Sequence, residues 1–190
     1  MKIGLYFGSF NPVHIGHLII ANHAVNETDL NQVWFVVSPR NPFKQSASLL
    51  NEYHRLHLIK SAIDGENNLR ASNVEFGLPR PSYTVDSLAY LKEKYPDHEF
   101  SILMGSDGFQ NIDKWKNYGV IVANHSIYIY KRTGFDVTET FGATIHILNA
   151  PLLDISSTRI RDLIKNKKSI RFLVPDVVKE EIELAGYYKY

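Results

Sequence analysis

Five short apolar runs punctuate the chain: residues 2–7 (KIGLYF), 33–37 (VWFVV), 99–105 (EFSILMG), 126–130 (SIYIY) and 144–148 (TIHIL). Each is too short for a buried helix, and β-branched and aromatic residues dominate, so each reads as a strand buried on both faces. A sixth strand is expected near residues 69–75. Between these runs lie stretches with helical spacing. Residues 15–26 form one, and residues 51–63 another, with Leu56, Ile59 and Ile63 on one face. A third opens at SYTVDSLAYLKEKY (82–95), capped by Ser82 or Thr84. Its expected buried stripe is Val85, Leu88 and Ala89, extended by Tyr95. Residues 157–165 and 175–185 read as closing helices, with Pro175 at a first helical position, where its missing N–H costs nothing. The Pro-bearing segments 38–50 and 77–82 are loops. Strand–helix alternation of this kind predicts an α/β fold, an open parallel sheet with helices on both faces. Such sheets bind ligands in the crevice beyond the carboxyl ends of their strands. The junctions to inspect therefore follow Phe7, Val37, Met104 and Leu148.

The totals restrict the function classes. At 190 residues and 44% hydrophobic content, one domain spanning 1–190 can bury its core without staples. Cysteine is absent, which excludes disulfides and thiolate metal sites. A net charge of +1 provides no basic field for nucleic acid or anionic membrane. No apolar run approaches the roughly 18 residues of a membrane span, and MKIGLYFGSF lacks a signal-peptide core. The expectation is a cytoplasmic protein with neither nucleic acid nor membrane as partner.

The first junction is the most unusual: GSFNPVHIGHL, residues 8–18. Gly8 lets the chain turn off the strand, and its backbone amides, with those of Ser9 and Phe10, can approach a ligand closely. Pro12 stiffens the loop. The helix starts near His14, and a helix N-terminus carries unpaired N–H groups and partial positive charge that attract anions. His14 and His17, three apart, share one face of the first turn and can aim donors at the same anion. Gly16 between them leaves room for a bulky ligand. By spacing alone the histidines also suit two metal ligands, but no nearby Asp, Glu or Cys completes a set. A second junction, ISSTRIR (155–161), has Ser156 and Ser157 as caps, followed by Arg159 and Arg161. Cations there oppose the helix dipole, which makes sense if an anion occupies the site; otherwise the segment is a solvated basic turn. Two apart, the arginines point to different faces, so one of them contacts the anion.

Taken together, Gly8, Phe10, Pro12, His14, Gly16 and His17 resemble the nucleotidyltransferase superfamily marked by H-x-G-H at the start of its first helix. Neither a Walker loop nor a G-x-G-x-x-G fingerprint is present. The resemblance implies a Rossmann-like nucleotidyltransferase fold and transfer of a nucleotidyl group with release of pyrophosphate. Arg161 matches the superfamily's closing arginine in S-S-T-x-I-R.

Three more segments narrow the resemblance to bacterial nicotinate mononucleotide adenylyltransferases over nearly the whole chain: GSD at 105–107 followed by Trp115, PSYTVDSL with Thr84, and NPFK with Lys44. On local sequence alone Trp115 also fits a core position, Thr84 a cap, and Lys44 a solvated residue. The resemblance implies catalytic roles for His14, His17 and Arg161. It implies ATP contacts at Gly8, Ser9, Phe10, Gly16, Gly105, Asp107, Ser157 and Thr158, with Asp107 on a ribose and the C-terminal helices (about 157–190) closing the ATP site. Lys44 would hold the mononucleotide phosphate, Thr84 the nicotinate carboxylate and Trp115 the pyridine ring, with Arg132 also on the substrate side. Two departures are visible: Phe43 stands where the family has histidine in P-P-H-K, and Thr133 where it has proline in R-P-G.

The implied reaction joins ATP and nicotinate mononucleotide into deamido-NAD, with Mg2+ bound mainly through the ATP phosphates rather than in a protein metal site. Three alternatives stay open: adenylyl transfer to nicotinamide mononucleotide, transfer to phosphopantetheine, and a non-catalytic nucleotide sensor. Pantetheine enzymes usually carry T-x-G-H and a shorter chain. The oligomeric state is not legible.

Overall fold

Successive residues of a strand point to opposite faces, and the buried side chains here divide by that rule into two cores. The computed structural model describes residues 1–39 and 49–189. Six strands, β1 (Lys2–Gly8), β2 (Gln32–Val37), β3 (Leu69–Ser72), β4 (Glu99–Gly105), β5 (Ile127–Tyr130) and β6 (Ile145–Leu148), form one sheet in the order β3-β2-β1-β4-β5-β6. Every neighbouring pair is parallel. On one face Tyr6, Val33, Phe35, Leu103 and Tyr128 meet helices α1 (Ile15–Glu27), α2 (Glu52–Ala62), α6 (Ser157–Lys165) and α7 (Asp176–Ala185). On the other, Ile3, Leu5, Trp34, Ile102 and Ile129 meet α3 (Thr84–Lys94), the one-turn α4 (Ser106–Phe109) and α5 (Tyr118–Asn124). Helices cover both faces, as the alternation of runs predicts.

The strand order reverses direction beside β1, which has β2 on one side and β4 on the other. That reversal opens a crevice at the carboxyl ends of β1 and β4, the ligand position in doubly wound sheets. Gly8 ends β1 and Gly105 ends β4.

Some local expectations need correcting. The strand expected over 69–75 stops at Ser72, and Val74–Gly77 makes a 3-10 turn instead. The cause is Glu75, a buried acid whose carboxylate accepts hydrogen bonds from Ser82 (2.7 Å) and Ser87 (3.0 Å). That contact also corrects the reading of α3. Tyr83 occupies the cap position, Ser82 turns its hydroxyl to Glu75, and Thr84 is the first helical residue. Ser87, Leu88 and Leu91 are the buried residues of the helix, while Ala89 is exposed. Pro175 caps α7 from just outside its first turn.

Candidate active site

The loop from β1 to α1 is shaped by aromatic packing. Phe10 is buried with φ +46°, the left-handed region, which costs a residue with a Cβ about 1–2 kcal/mol. Its ring offsets that cost by meeting Tyr6, Phe35 and His17 edge-on at centroid distances of 5.5, 5.4 and 5.0 Å. The ring also folds over Gly8, where a Cβ would come within 2.9 Å of it. Gly8 therefore admits the Phe10 ring as well as turning the chain.

His14 caps α1 and is 3% exposed; His17 is the third residue of the helix and half-buried. The rings stack at 3.6 Å, and the His14 backbone N–H donates to His17 Nδ1 at 3.3 Å. A neutral histidine that accepts through Nδ1 carries its proton on Nε2, so His17 has an Nε2–H donor. Burial, assisted by the charge of Arg132, brings the His14 pKa down to about 4. His14 is thus neutral at pH 7 and offers one N–H, not the two of an imidazolium. Its buried Nδ1 has no hydrogen-bond partner among the described residues. Gly16 also has a packing role that its spacing in the sequence does not show. A Cβ there would stand 3.1 Å from His14 Nδ1, so the glycine makes room for this ring.

The second helix N-terminus is tied to the first loop. Ser157 Oγ donates to the Pro12 carbonyl at 2.9 Å, and Arg161 donates to the Asn11 carbonyl at 2.8 Å and to Thr158 Oγ1 at 3.2 Å. Ser156 caps α6 by accepting from the Arg159 N–H. Arg161 lines the cleft between the two helix ends, whereas Arg159 is exposed on the outside of α6.

That cleft has a volume of about 400 Å³. Gly8, Ser9, Phe10, His14, His17, Gly105, Asp107, Trp115, Arg132, Ser157, Thr158 and Arg161 all line it. Gly16 lies behind the histidines, against Ile155. Lys44 and Phe43 fall outside the described residues. Arg132 is held from three sides. Its backbone N–H donates to Ser106 Oγ at 2.9 Å, its guanidinium donates to Tyr130 Oη at 3.3 Å, and Nε lies 3.7 Å from Asp107 Oδ1. Beside the cleft is a smaller cavity of about 120 Å³, bordered by Thr84 and Trp115 together with Phe7, Gly8 and Glu75. Trp115 borders both spaces and is half-buried, so it is not a pure core residue.

A family described as cytidylyltransferase-like matches residues 5–163. The chain is 50% identical, with both chains covered completely, to a Flavobacterium psychrophilum protein named "probable nicotinate-nucleotide adenylyltransferase". It is 48% identical to a Cytophaga hutchinsonii protein of the same name, covering 99% of this chain and 98% of the relative. The chain belongs to the nicotinate-nucleotide adenylyltransferase family. The fold agrees with a solved relative of low identity. Nicotinic acid mononucleotide adenylyltransferase of Plasmodium falciparum, complexed with NaAD, superposes with a TM-score of 0.84 at 21% identity, over 100% of this chain and 98% of that one.

In this member of the nicotinate-nucleotide adenylyltransferase family, three features of the site escape a reading of the sequence. Arg55 is fully buried and staples the loops after β1 and β2; among the described residues it donates to the carbonyls of Ser9 (2.6 Å), Ser38 (2.9 Å), Pro39 (3.1 Å) and Leu50 (2.7 Å). A signal for it existed. Arg55 sits three and four residues before Leu58 and Ile59, on the apolar stripe of α2, where a charge needs a reason. Glu75 left a weaker trace, since its partners Ser82 and Ser87 lie across a loop. The Tyr6–Tyr130 hydroxyl pair (3.2 Å), with burial pushing the Tyr6 phenol well above its ordinary pKa, joins strands far apart in sequence and left none.

Proposed function

We propose that the protein transfers the adenylyl group of ATP to nicotinate mononucleotide, giving deamido-NAD and pyrophosphate. The observation that carries this reading is the cleft itself. It gathers two helix N-termini, His14, His17, Arg132 and Arg161 beside a small cavity bordered by Thr84 and Trp115. A phosphate oxygen of the mononucleotide attacks the α-phosphorus of ATP, and the bond from that phosphorus to the β-phosphate bridging oxygen breaks. Near neutral pH the attacking phosphate is already largely ionised, its second pKa being about 6, so no general base is required. Catalysis then consists of positioning and charge stabilisation. The amides of Ser9 and Phe10, the Nε2–H of His17 and the single N–H of His14 face the charge that grows on the α-phosphate and the bridging oxygen. Arg161, Ser157 and Thr158 hold the β- and γ-phosphates, so the C-terminal helices close the ATP site. Asp107 takes a ribose, and Gly105 lets it approach. Thr84, Trp115 and Arg132, together with Lys44, hold the mononucleotide.

Magnesium enters in this reading as part of the ATP substrate, carried on its phosphates. Among the described residues no three His, Asp or Glu side chains gather into a metal site, and Asp107, the carboxylate lining the cleft, faces Arg132. A cytoplasmic location is part of this reading. No helix among the described residues is long and apolar enough to cross a membrane.

The test is pyrophosphate release by the purified protein with MgATP and, in parallel, nicotinate mononucleotide, nicotinamide mononucleotide or phosphopantetheine. Preference for the nicotinate acceptor is expected. Turnover only with another acceptor overturns the substrate assignment, and ATP binding without turnover points to a sensor.

Arg161→Lys tests the second helix end. The guanidinium bridges the Asn11 carbonyl and Thr158 while facing the cleft, and a lysine supplies a single point charge in place of that fork. The KM for ATP is expected to rise about tenfold or more, the value of one charge-assisted hydrogen bond. An unchanged KM for ATP refutes the assignment.

A further inference from the structure

Among the described residues, Lys116 is the cationic side chain bordering the small cavity that also holds Thr84, Trp115 and Glu75. Its ammonium lies 3.0 and 3.3 Å from the two carboxylate oxygens of Asp86 and 4.7 Å from the centre of the Tyr83 ring. Lys116 and Asp86 side chains are each 44% exposed, so the pair sits at the rim, neither buried nor free in bulk water. Asp86 is the third residue of α3, where the helix N-terminus already favours its charge without help from a lysine. The ion pair and the tyrosine face together hold the lysine head beside Tyr83, another wall residue of the cavity. The acid in the cavity wall is Glu75. Both Glu75 oxygens accept from serine hydroxyls, those of Ser82 and Ser87; burial raises its pKa and these hydrogen bonds oppose the rise. The cavity thus has a hydrogen-bonded acid in its wall, a helix N-terminus at Thr84 and a cation among its bordering residues.

Resting on the adenylyltransferase reading above, we infer that Lys116 is a specificity-determining residue that selects the mononucleotide whose pyridine ring bears a carboxylate over the one bearing a carboxamide. The two rings have nearly the same shape and differ by one negative charge. Packing against Trp115 does not separate them, and a hydroxyl such as that of Thr84 can hydrogen-bond to either. A cation separates them, because it attracts the carboxylate and leaves the carboxamide with only a neutral hydrogen bond. The long stem of lysine lets the ammonium swing from Asp86 to bridge it and the ligand.

The experiment measures kcat/KM for both mononucleotides at saturating MgATP in the unaltered protein, Lys116→Met and Lys116→Arg. In Lys116→Met the ratio of acid to amide is expected to fall about 5- to 10-fold, the scale of a partly exposed charged contact. The loss should lie in KM for the acid rather than in kcat. Lys116→Arg, which keeps the charge, should retain most of the preference. A ratio unchanged in Lys116→Met, or equal losses for both mononucleotides, overturns the role of Lys116 while leaving the reaction standing. Absence of turnover with either mononucleotide in the unaltered protein overturns the reaction and this inference with it.

Discussion

His17→Ala is expected to lower kcat by roughly 10²–10³, the usual consequence of losing one preorganised donor to a developing charge. The geometry suits His17 to this proposed role. His17 Nδ1 accepts from the backbone N–H of His14, which fixes the tautomer and leaves the proton on Nε2. The ring is wedged against Phe10 (5.0 Å) and Tyr6 (5.9 Å) and stacked on His14, so little reorientation is needed when charge appears. The structural cost of the change is small by comparison. Removing the ring deletes a helix-capping contact worth about 1 kcal/mol. Steady-state kinetics and a thermal melt on the same sample separate the two effects. A melt close to that of the unaltered protein with kcat reduced a hundredfold supports the role. A variant that turns over within tenfold of normal refutes it.

What could be read in the sequence was whatever depends on local spacing. Apolar runs of strand length alternating with helical stripes are enough to predict the parallel sheet, because burying both faces demands that pattern. The H-x-G-H and S-S-T-x-I-R segments announced themselves because each sits at a strand–helix junction, and the cleft brings the two together. Contacts across the sequence were hidden. Glu75 ended a strand early because its carboxylate is turned to Ser82 and Ser87, and neither the turn nor the burial of Ser87 shows in a periodicity count. The packing role of Gly16 was hidden for the same reason. A missing side chain shows that space is needed but not what fills it, and here the His14 ring does. The charge state of His14 was equally invisible, since it follows from burial and from Arg132, more than a hundred residues away in sequence.

Arg55→Leu is expected to destabilise the fold by roughly 3–5 kcal/mol and to lower activity by loosening the loop after β1 as well. The guanidinium is fully buried, and among the described residues it has no carboxylate at ion-pair distance; its partners are four backbone carbonyls. Burial lowers its pKa, with Tyr188 and Glu52 opposing, but an arginine remains charged under any such shift. Those carbonyls belong to Ser9 after β1, to Ser38 and Pro39 after β2, and to Leu50 just before α2. One side chain therefore sets the separation of the loops that carry the amides of Ser9 and Phe10. Leucine fills the volume but leaves the four acceptors without this donor, and each unsatisfied buried group costs about 1–3 kcal/mol before relaxation. For a chain of this size the loss corresponds to a melting temperature lower by about 6–20 °C. Arg55→Lys keeps a positive charge with fewer, differently arranged donors, so it should fold with an intermediate melt and still lose activity, because the Ser9 carbonyl and with it the neighbouring amides shift. A lysine variant with normal kcat would confine Arg55 to stability, and a leucine variant with an unchanged melt would show that the four carbonyls find other donors.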